Sequence, residues 1–428
     1  MRPHWRHEKQ QRHADFSVTK ARDSRVGRLT FAFRLCACTW IAGGSLSVAL
    51  AGGTLTPYAA EDVEHNSNIF DLQTNQPTPG YPSGSLADTQ FETRAGVDGV
   101  YMLDAQRFFA TAEFRRYDYD KFTELDHNEY LFDGGLKYQV EQIIDGTFEY
   151  RHEQRMVQFQ ELIDATELII ETENTANASL NVDFTPEWRL ESRVRDHLLD
   201  SPRSDVPQLS LHEDAIHEGL RYIGVSNLSA GVDVEYLQGR YRHDPLALDP
   251  NYHQTSEYLA ANYLVSGLTT FNGALGYTSR TDPTNSGTTG AGSGVTGNLG
   301  YKHALSGKTT LNLGLKREVS TYLTTGGSEI DSTASLGATY QATYKIRLRF
   351  SYDYTLSKFP DTPIGVDAVE RTDHFQTANF EASYQVLHWL SIRPYARYQT
   401  RHSNIPLDTF NSNVVGIELL AKKAGTNQ

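Results

Sequence analysis

The stretch Lys345-Ile346-Arg347-Leu348-Arg349-Phe350-Ser351-Tyr352-Asp353-Tyr354-Thr355-Leu356 decides the fold class. Ile346, Leu348, Phe350, Tyr352, Tyr354 and Leu356 fall on one face of an extended chain, and Arg347, Arg349, Ser351, Asp353 and Thr355 fall on the other. Successive side chains of a strand point to opposite faces, so this strict period of two separates an apolar face from an ionisable one. The run is also long. Strands of soluble proteins mostly have about 5–6 residues, whereas a strand tilted through a bilayer needs about 9–11.

The scheme recurs along the chain. Leu228, Ala230, Val232, Val234 and Tyr236 oppose Ser229, Gly231, Asp233 and Glu235. Leu311, Leu313 and Leu315 oppose Asn312, Gly314 and Lys316. Trp188, Leu190 and Val194 oppose Arg189, Glu191, Arg193 and Arg195, and Leu390, Ile392, Ala396 and Tyr398 oppose Ser391, Arg393, Arg397 and Gln399. No apolar run approaches the length of a spanning helix, so a membrane-bound form of this chain must cross with strands.

Short connections near Leu103–Gln106, Glu141–Ile143, Thr185–Glu187, Val225–Asn227, Ser266–Leu268, Leu305–Lys308, Ala342–Lys345 and Leu387–Trp389 recur about every 40 residues. Long polar stretches lie between them, for example Asp118–His127, Leu199–Leu211 and Ser357–Arg371. A β-propeller also repeats at this period, but a blade packs four short strands into the span that here holds two long ones. The layout predicts an all-β, transmembrane, up-and-down antiparallel barrel of about eighteen strands. Its first strand lies around Leu55–Glu64, its last around Asn413–Ala421, the two close on each other, and both termini lie on the side of the short turns, the periplasmic side.

Residues 1–51 read differently. Nine Lys and Arg stand against three acids, an apolar stretch follows over Leu35–Leu50, and Ala49-Leu50-Ala51 offers a small-x-small cleavage site. This is the form of a signal peptide with a long basic leader; a membrane anchor or, through Leu35-Cys36-Ala37-Cys38, a lipoprotein signal are the alternatives. The expected organisation is a signal peptide over 1–51, a barrel over 52–421 and a short tail over 422–428. Both cysteines fall in the leader, so the exported chain carries no thiol chemistry. Removing the leader makes the remainder more acidic than the whole chain's net −14, which excludes a nucleic-acid binder.

On a barrel of this kind the apolar face meets lipid and the ionisable face lines the lumen. The expected channel lining is Arg189, Glu191, Arg193, Arg195, Asp233, Glu235, Arg347, Arg349, Asp353, Arg393 and Arg397, with the arginine rows facing acids across the bore. Tyr58, Tyr101, Phe114, Tyr138, Tyr150, Phe184, Trp188, Tyr222, Tyr301, Tyr340, Trp389 and Tyr398 are expected in the aromatic girdles at the membrane boundaries. Glu218 falls on the apparent lipid face of its strand, which speaks against the register read for that strand. A lumen this charged is either a water-filled conduit or a ladder of ion pairs stiffening a plugged barrel.

Motifs for catalysis are missing: there is no phosphate-binding loop, no His-Glu-x-x-His and no Gly-x-Ser-x-Gly. Asp126-His127 and Asp373-His374 read as loop or rim residues. The expectation is a non-enzymatic protein without cofactor or metal. Asp118, Asp120, Glu124, Asp126 and Glu129 form an acidic cluster, either a solvated loop or a bridge through divalent cations to anionic headgroups. Thr284–Gly297, rich in Gly, Ser and Thr, reads as a flexible outer loop.

The opening Thr56-Pro57-Tyr58, Glu61-Asp62 and His65-Asn66-Ser67-Asn68-Ile69-Phe70-Asp71-Leu72 resembles that of the outer-membrane β-barrel porins encoded with exopolysaccharide biosynthesis operons. In that family the first strand is followed by an Asn/Asp-rich stretch ending in Asn-(Val/Ile)-Phe, here Asn68-Ile69-Phe70. The resemblance implies a channel taking part in export of a secreted polysaccharide, with outer-membrane lipid, the polysaccharide and periplasmic export proteins as partners, and carries over no catalytic residue. The ending Leu419-Leu420-Ala421-Lys422-Lys423-Ala424-Gly425-Thr426-Asn427-Gln428 lacks the terminal aromatic of many such barrels, so an assembly signal is expected to be internal or atypical. A small-solute porin and a non-transporting structural or adhesion protein remain as alternatives.

Overall fold

A computed structural model describes residues 48–50, 52–73, 85–159, 166–201, 210–241, 251–281, 292–322, 327–360, 370–405 and 408–422. A short strand, β1 (Val48–Leu50), folds back on the start of β2 (Gly53–Asn66). The other strands follow as β3 (Asp88–Leu103), β4 (Gln106–Tyr119), β5 (His127–Val140), β6 (Ile144–Met156), β7 (Ile170–Thr185), β8 (Trp188–Asp200), β9 (Leu211–Val225) and β10 (Leu228–Tyr241). Then come β11 (Tyr252–Ser266), β12 (Thr269–Thr281), β13 (Gly294–Ser306), β14 (Thr309–Tyr322), β15 (Gly327–Gln341), β16 (Ile346–Phe359), β17 (Arg371–Leu387), β18 (Leu390–Ser403) and β19 (Phe410–Lys422).

Each strand from β2 onward pairs antiparallel with its sequence neighbours, and β19 pairs with β2 from Lys422 opposite Tyr58 to Val414 opposite Asn66. The eighteen strands β2–β19 therefore form a closed barrel with no free edge, which removes the template for pairing with other chains. The strands run from 13 to 17 residues, enough to cross a hydrocarbon core at a tilt. The eight short turns fall where the sequence places them. Asp104 and Glu141 supply the left-handed backbone at two of them, and register shifts beside five others end the pairing with a bulge.

The period of two resolves into two walls. Leu259, Leu275, Leu315, Val295 and Phe148 stand on the outer wall between 52% and 70% exposed. A belt of this extent is stable only against an apolar solvent, so the outer wall is a lipid-facing surface. Glu218 is indeed outward, where it accepts a hydrogen bond from Ser192 on the neighbouring strand (2.6 Å). One girdle assignment is corrected. Tyr58 is inward and buried, because it shares the phase of Asp62 and Glu64, and its hydroxyl donates to Glu113 (2.5 Å). Most of the basic leader and the stretches 202–209, 282–291 and 361–369 lie outside the described residues, as does the tail beyond Lys422.

Candidate functional site

On a closed tube the concave face brings next-but-one strands together, and the polar side chains make such contacts. Arg94 of β3 reaches over β2 to Glu418 of β19 and also meets Glu92 (3.4 Å) and Glu113 (3.9 Å). Arg115 of β4 pairs with Glu113 (2.5 Å), Glu129 (3.4 Å) and Glu153 of β6 (3.6 Å). Tyr395 of β18 donates to Asp62 (2.8 Å) and Glu64 (2.9 Å) of β2. The ionisable face is thus the inner one.

Each residue expected to line the channel is on this face, but the pairing differs from the expectation. Arg189 forms a fork with Asp183 on the adjacent strand (2.5 and 2.8 Å), with Asp145 at 3.6 Å. Arg349 meets Glu381 on the adjacent strand (3.1 Å), and Arg347 donates to Gln341 (2.9 Å). Arg393 contacts Glu418 and Glu381, and Arg397 lies 3.5 Å from Glu64. Asp233 and Glu191 both receive Arg221 (2.7 and 3.3 Å). The acids stand beside the arginines along the wall, not opposite them across the bore. The reason is geometric: side chains of neighbouring strands sit about 4.5–5.5 Å apart, within reach of an ion pair, while the far wall of a barrel this wide is not. Among the described residues Arg193, Glu235 and Asp353 have no ion pair, and Arg195 has none within 4 Å, though its charge acts on Glu213.

The lining is uneven around the circumference. From β2 to β10 and again on β16–β18 it is dense in charge. From β11 to β15 it is mostly small or neutral: Ser256, Asn262, Asn272, Thr278, Thr296, Asn298, Asn312, Thr333 and Ser335, interleaved with Ala260, Ala274, Gly300 and Gly314. Ser256, Thr278 and Thr296 link hydroxyls at 3.0 and 2.8 Å. Hydroxyls of this kind donate or accept by rotation.

At the end of the long loops, loop residues fold onto the inner wall. The segment after β2 turns in, and Asn68 fixes it. Its side-chain amide donates to the carbonyls of Leu72 (2.8 Å) and Asn411 (3.0 Å), and its oxygen accepts from the Leu72 backbone (3.2 Å). Phe70 then packs edge-on against Phe122 (4.7 Å) and Phe159 (4.9 Å), with Ile69, Leu72, Tyr119 and Leu125 completing an apolar cap. Beneath it is a cavity of about 410 Å3 lined by Ile69, Asp71, Arg115, Glu129, Arg155 and Arg397 among others. Burial pushes the Asp71 carboxyl up to about 7, against the pull of Arg401 and Arg397. Across the bore, the Arg280 guanidinium lies 3.7 Å over the Tyr252 ring, and the Tyr252 hydroxyl donates to Glu213 and accepts from Thr321 (2.9 Å). A second cavity of about 450 Å3 is bounded there by Arg195, His197, Glu235, Tyr258 and Thr278 among others.

These inward caps were not expected from sequence; the signal was the presence of Phe122 and Leu125 inside an otherwise polar loop. The acidic cluster of that loop does not converge on a cation. Asp126 accepts the Tyr119 backbone N–H (2.8 Å), Asp118 pairs with Arg116 (2.9 Å), and Glu129 is inward and accepts the Met156 backbone N–H (2.9 Å). Asp373 and His374 point to opposite walls, the first to Arg371 and the second to Tyr354.

No family model and no curated protein matches this chain. Solved structures similar to it include OccK2 (OpdF) of Pseudomonas aeruginosa in complex with glucuronate, with a TM-score of 0.48 and 11% identity over 87% of this chain and 99% of that one. OpdQ of the same organism gives 0.47 and 11%, over 86% and 98%. The outer membrane protein opdK, also of Pseudomonas aeruginosa, gives 0.45 and 10%, over 86% and 99%.

Proposed function

We propose that this protein is a channel of a Gram-negative-type outer membrane that passes a hydrophilic solute through an aqueous bore. One observation carries the reading: charges and hydroxyls line the concave wall of a closed barrel whose outer wall is apolar. Arg193, Glu235 and Asp353 lack ion partners within 4 Å, and an isolated charge is tolerable only in contact with water. Selectivity in such a bore follows from its width and the chemistry of its lining. The hydroxyl and carboxamide arc from β11 to β15 suits the hydroxyls of a sugar, because each contact can be exchanged for water at little cost.

That arc also supports the reading in which the cargo is a secreted exopolysaccharide. In that case the rim of short turns faces the periplasm and receives the export proteins. Reconstituted protein should give open-channel conductance and should let neutral sugars swell liposomes, with a size cut-off. A barrel that neither conducts nor swells liposomes has a structural or adhesive role instead. For the polymer, a deletion strain should lose surface polysaccharide while small-solute uptake stays intact; unchanged secretion rejects export.

A further inference from the structure

The outer wall carries a concentration of charge that transport leaves unused. Asp196 of β8 and Asp214 of β9 are direct partners in the β8–β9 ladder. Both point outward, in the phase of the exposed Val194 and Ile216. Like charges directly opposite each other destabilise a sheet, and on a lipid-facing wall an uncompensated charge costs more than in water. His212 stands on the same face, two residues nearer the long loops. Its Nε2 lies 2.8 Å from Asp196 Oδ2 and 3.5 Å from Asp214 Oδ1. One potential ligand atom from each of the three falls within 4.8 Å of the other two. Arg240 of β10 engages the second oxygen of Asp214, which leaves Oδ1 turned toward His212.

On the side of the cluster away from the long loops, the outer wall has an apolar recess of about 420 Å3. Phe148, Ala176, Val194, Ile216 and Tyr236 line it, and it is bounded by Asp196 and Asp214 themselves. The cluster therefore marks the level at which the apolar belt gives way to the polar rim, the height of the lipid headgroups.

We infer that Asp196, His212 and Asp214 form an outward-facing site for a first-row divalent cation of the Zn2+ class. Tetrahedral bonds of about 2.0–2.1 Å put ligand atoms about 3.3 Å apart, and the two imidazole–carboxylate distances bracket that value. Two carboxylates balance the charge of the ion. The imidazole selects a borderline transition metal over Ca2+ or Mg2+, which take oxygen alone. Binding places the Nε2 lone pair on the metal. In the bound form the imidazole proton therefore resides on Nδ1. The fourth position opens outward, to water or to a headgroup phosphate. Sequence reading found no metal site because the ligands come from two strands and are joined only by register.

The test is calorimetric titration of the untagged, folded barrel in detergent with ZnCl2, and with CaCl2 in parallel. Wild type should bind one Zn2+ and should not respond to Ca2+. His212→Asn and the Asp196→Asn/Asp214→Asn double variant should each weaken Zn2+ binding by more than about tenfold, with channel conductance unchanged. His374 and His402 face each other on β17 and β18, so the His374→Asn/His402→Asn variant controls for adventitious imidazole chelation and should keep tight binding. The proposal is overturned if wild type does not bind Zn2+, if His212→Asn binds as wild type does, or if binding is lost only with His374 and His402. Should the double carboxylate variant fail to fold, His212→Asn alone decides.

Discussion

Arg94 and Glu418 meet above a strand to which neither belongs: β2 runs between them, and the ion pair staples β3 to β19 over its inner face. Glu418 is 3% exposed and also receives Arg393. Glu418→Ala leaves two guanidinium groups without their shared partner. Leaving a buried charge unpaired costs about 3–5 kcal/mol; Arg94 keeps Glu92 and Glu113, Arg393 keeps Glu381, and both retain some solvent, which places the loss below that range, about 1–2 kcal/mol. Urea unfolding in detergent checks it, with Glu418→Gln as the milder variant. An unaltered midpoint for Glu418→Ala would remove the staple from the account.

The orientation of the walls has its own test. Leu259 is 70% exposed, outward and near the middle of β11, while Asn262 on the same strand is inward. Arginine at a lipid-facing midplane position costs about 2–4 kcal/mol, so Leu259→Arg should impair folding into lipid vesicles and Asn262→Arg should be nearly silent. Equal penalties at the two sites contradict the assignment of faces.

Phe70→Ala should free the inward loop. Removing a buried phenylalanine costs about 3–5 kcal/mol. Here the loss falls on the cap, since Phe70 packs on loop residues Phe122 and Phe159 as well as on Tyr119. Single-channel conductance should rise, and opening should become noisier, with the barrel's own stability little changed.

The loop should also respond to pH. Asp71 has a folded-state pKa raised from 3.8 to about 7, so between these values the docked loop holds a proton that the undocked loop gives up. The docked form is then favoured in acid and weakens as pH rises toward 7. Conductance at pH 8 should exceed that at pH 5, and Asp71→Asn should abolish the step. A step that survives this substitution assigns the response to another group.

Arg193→Glu/Arg195→Glu should move the reversal potential in a KCl gradient toward cation selectivity. Arg193 is exposed and has no ion pair to lose, so Arg193→Glu alone should leave the unfolding free energy within about 0.5 kcal/mol of wild type.

Turns and faces were legible in the sequence because both follow from local periodicity. Ile346 to Leu356 alternate in the structure as they do in the chain, and the phase of Glu218, which speaks against its strand's register in sequence, is the true one: it lies on the outer wall bonded to Ser192. Partners were not legible. Arg189 chooses Asp183 and Arg349 chooses Glu381 through the register of adjacent strands, which alternation leaves open. Tyr58 has the aromatic character and strand-end position of a girdle residue, but its phase with Asp62 turns it inward. The caps around Phe70 and Tyr252 come from loop residues folding inward, which a rule treating long connections as solvated does not anticipate.

The seam between β2 and β19 also sets an order of events. Ser412 bonds to Asn66 over a separation of 346 residues, so this contact waits for nearly the whole polypeptide to be in place. Until then both outermost strands have an open flank, and the growing sheet can recruit a foreign strand. Trimming either terminal strand removes this seam and leaves an arc with two exposed flanks.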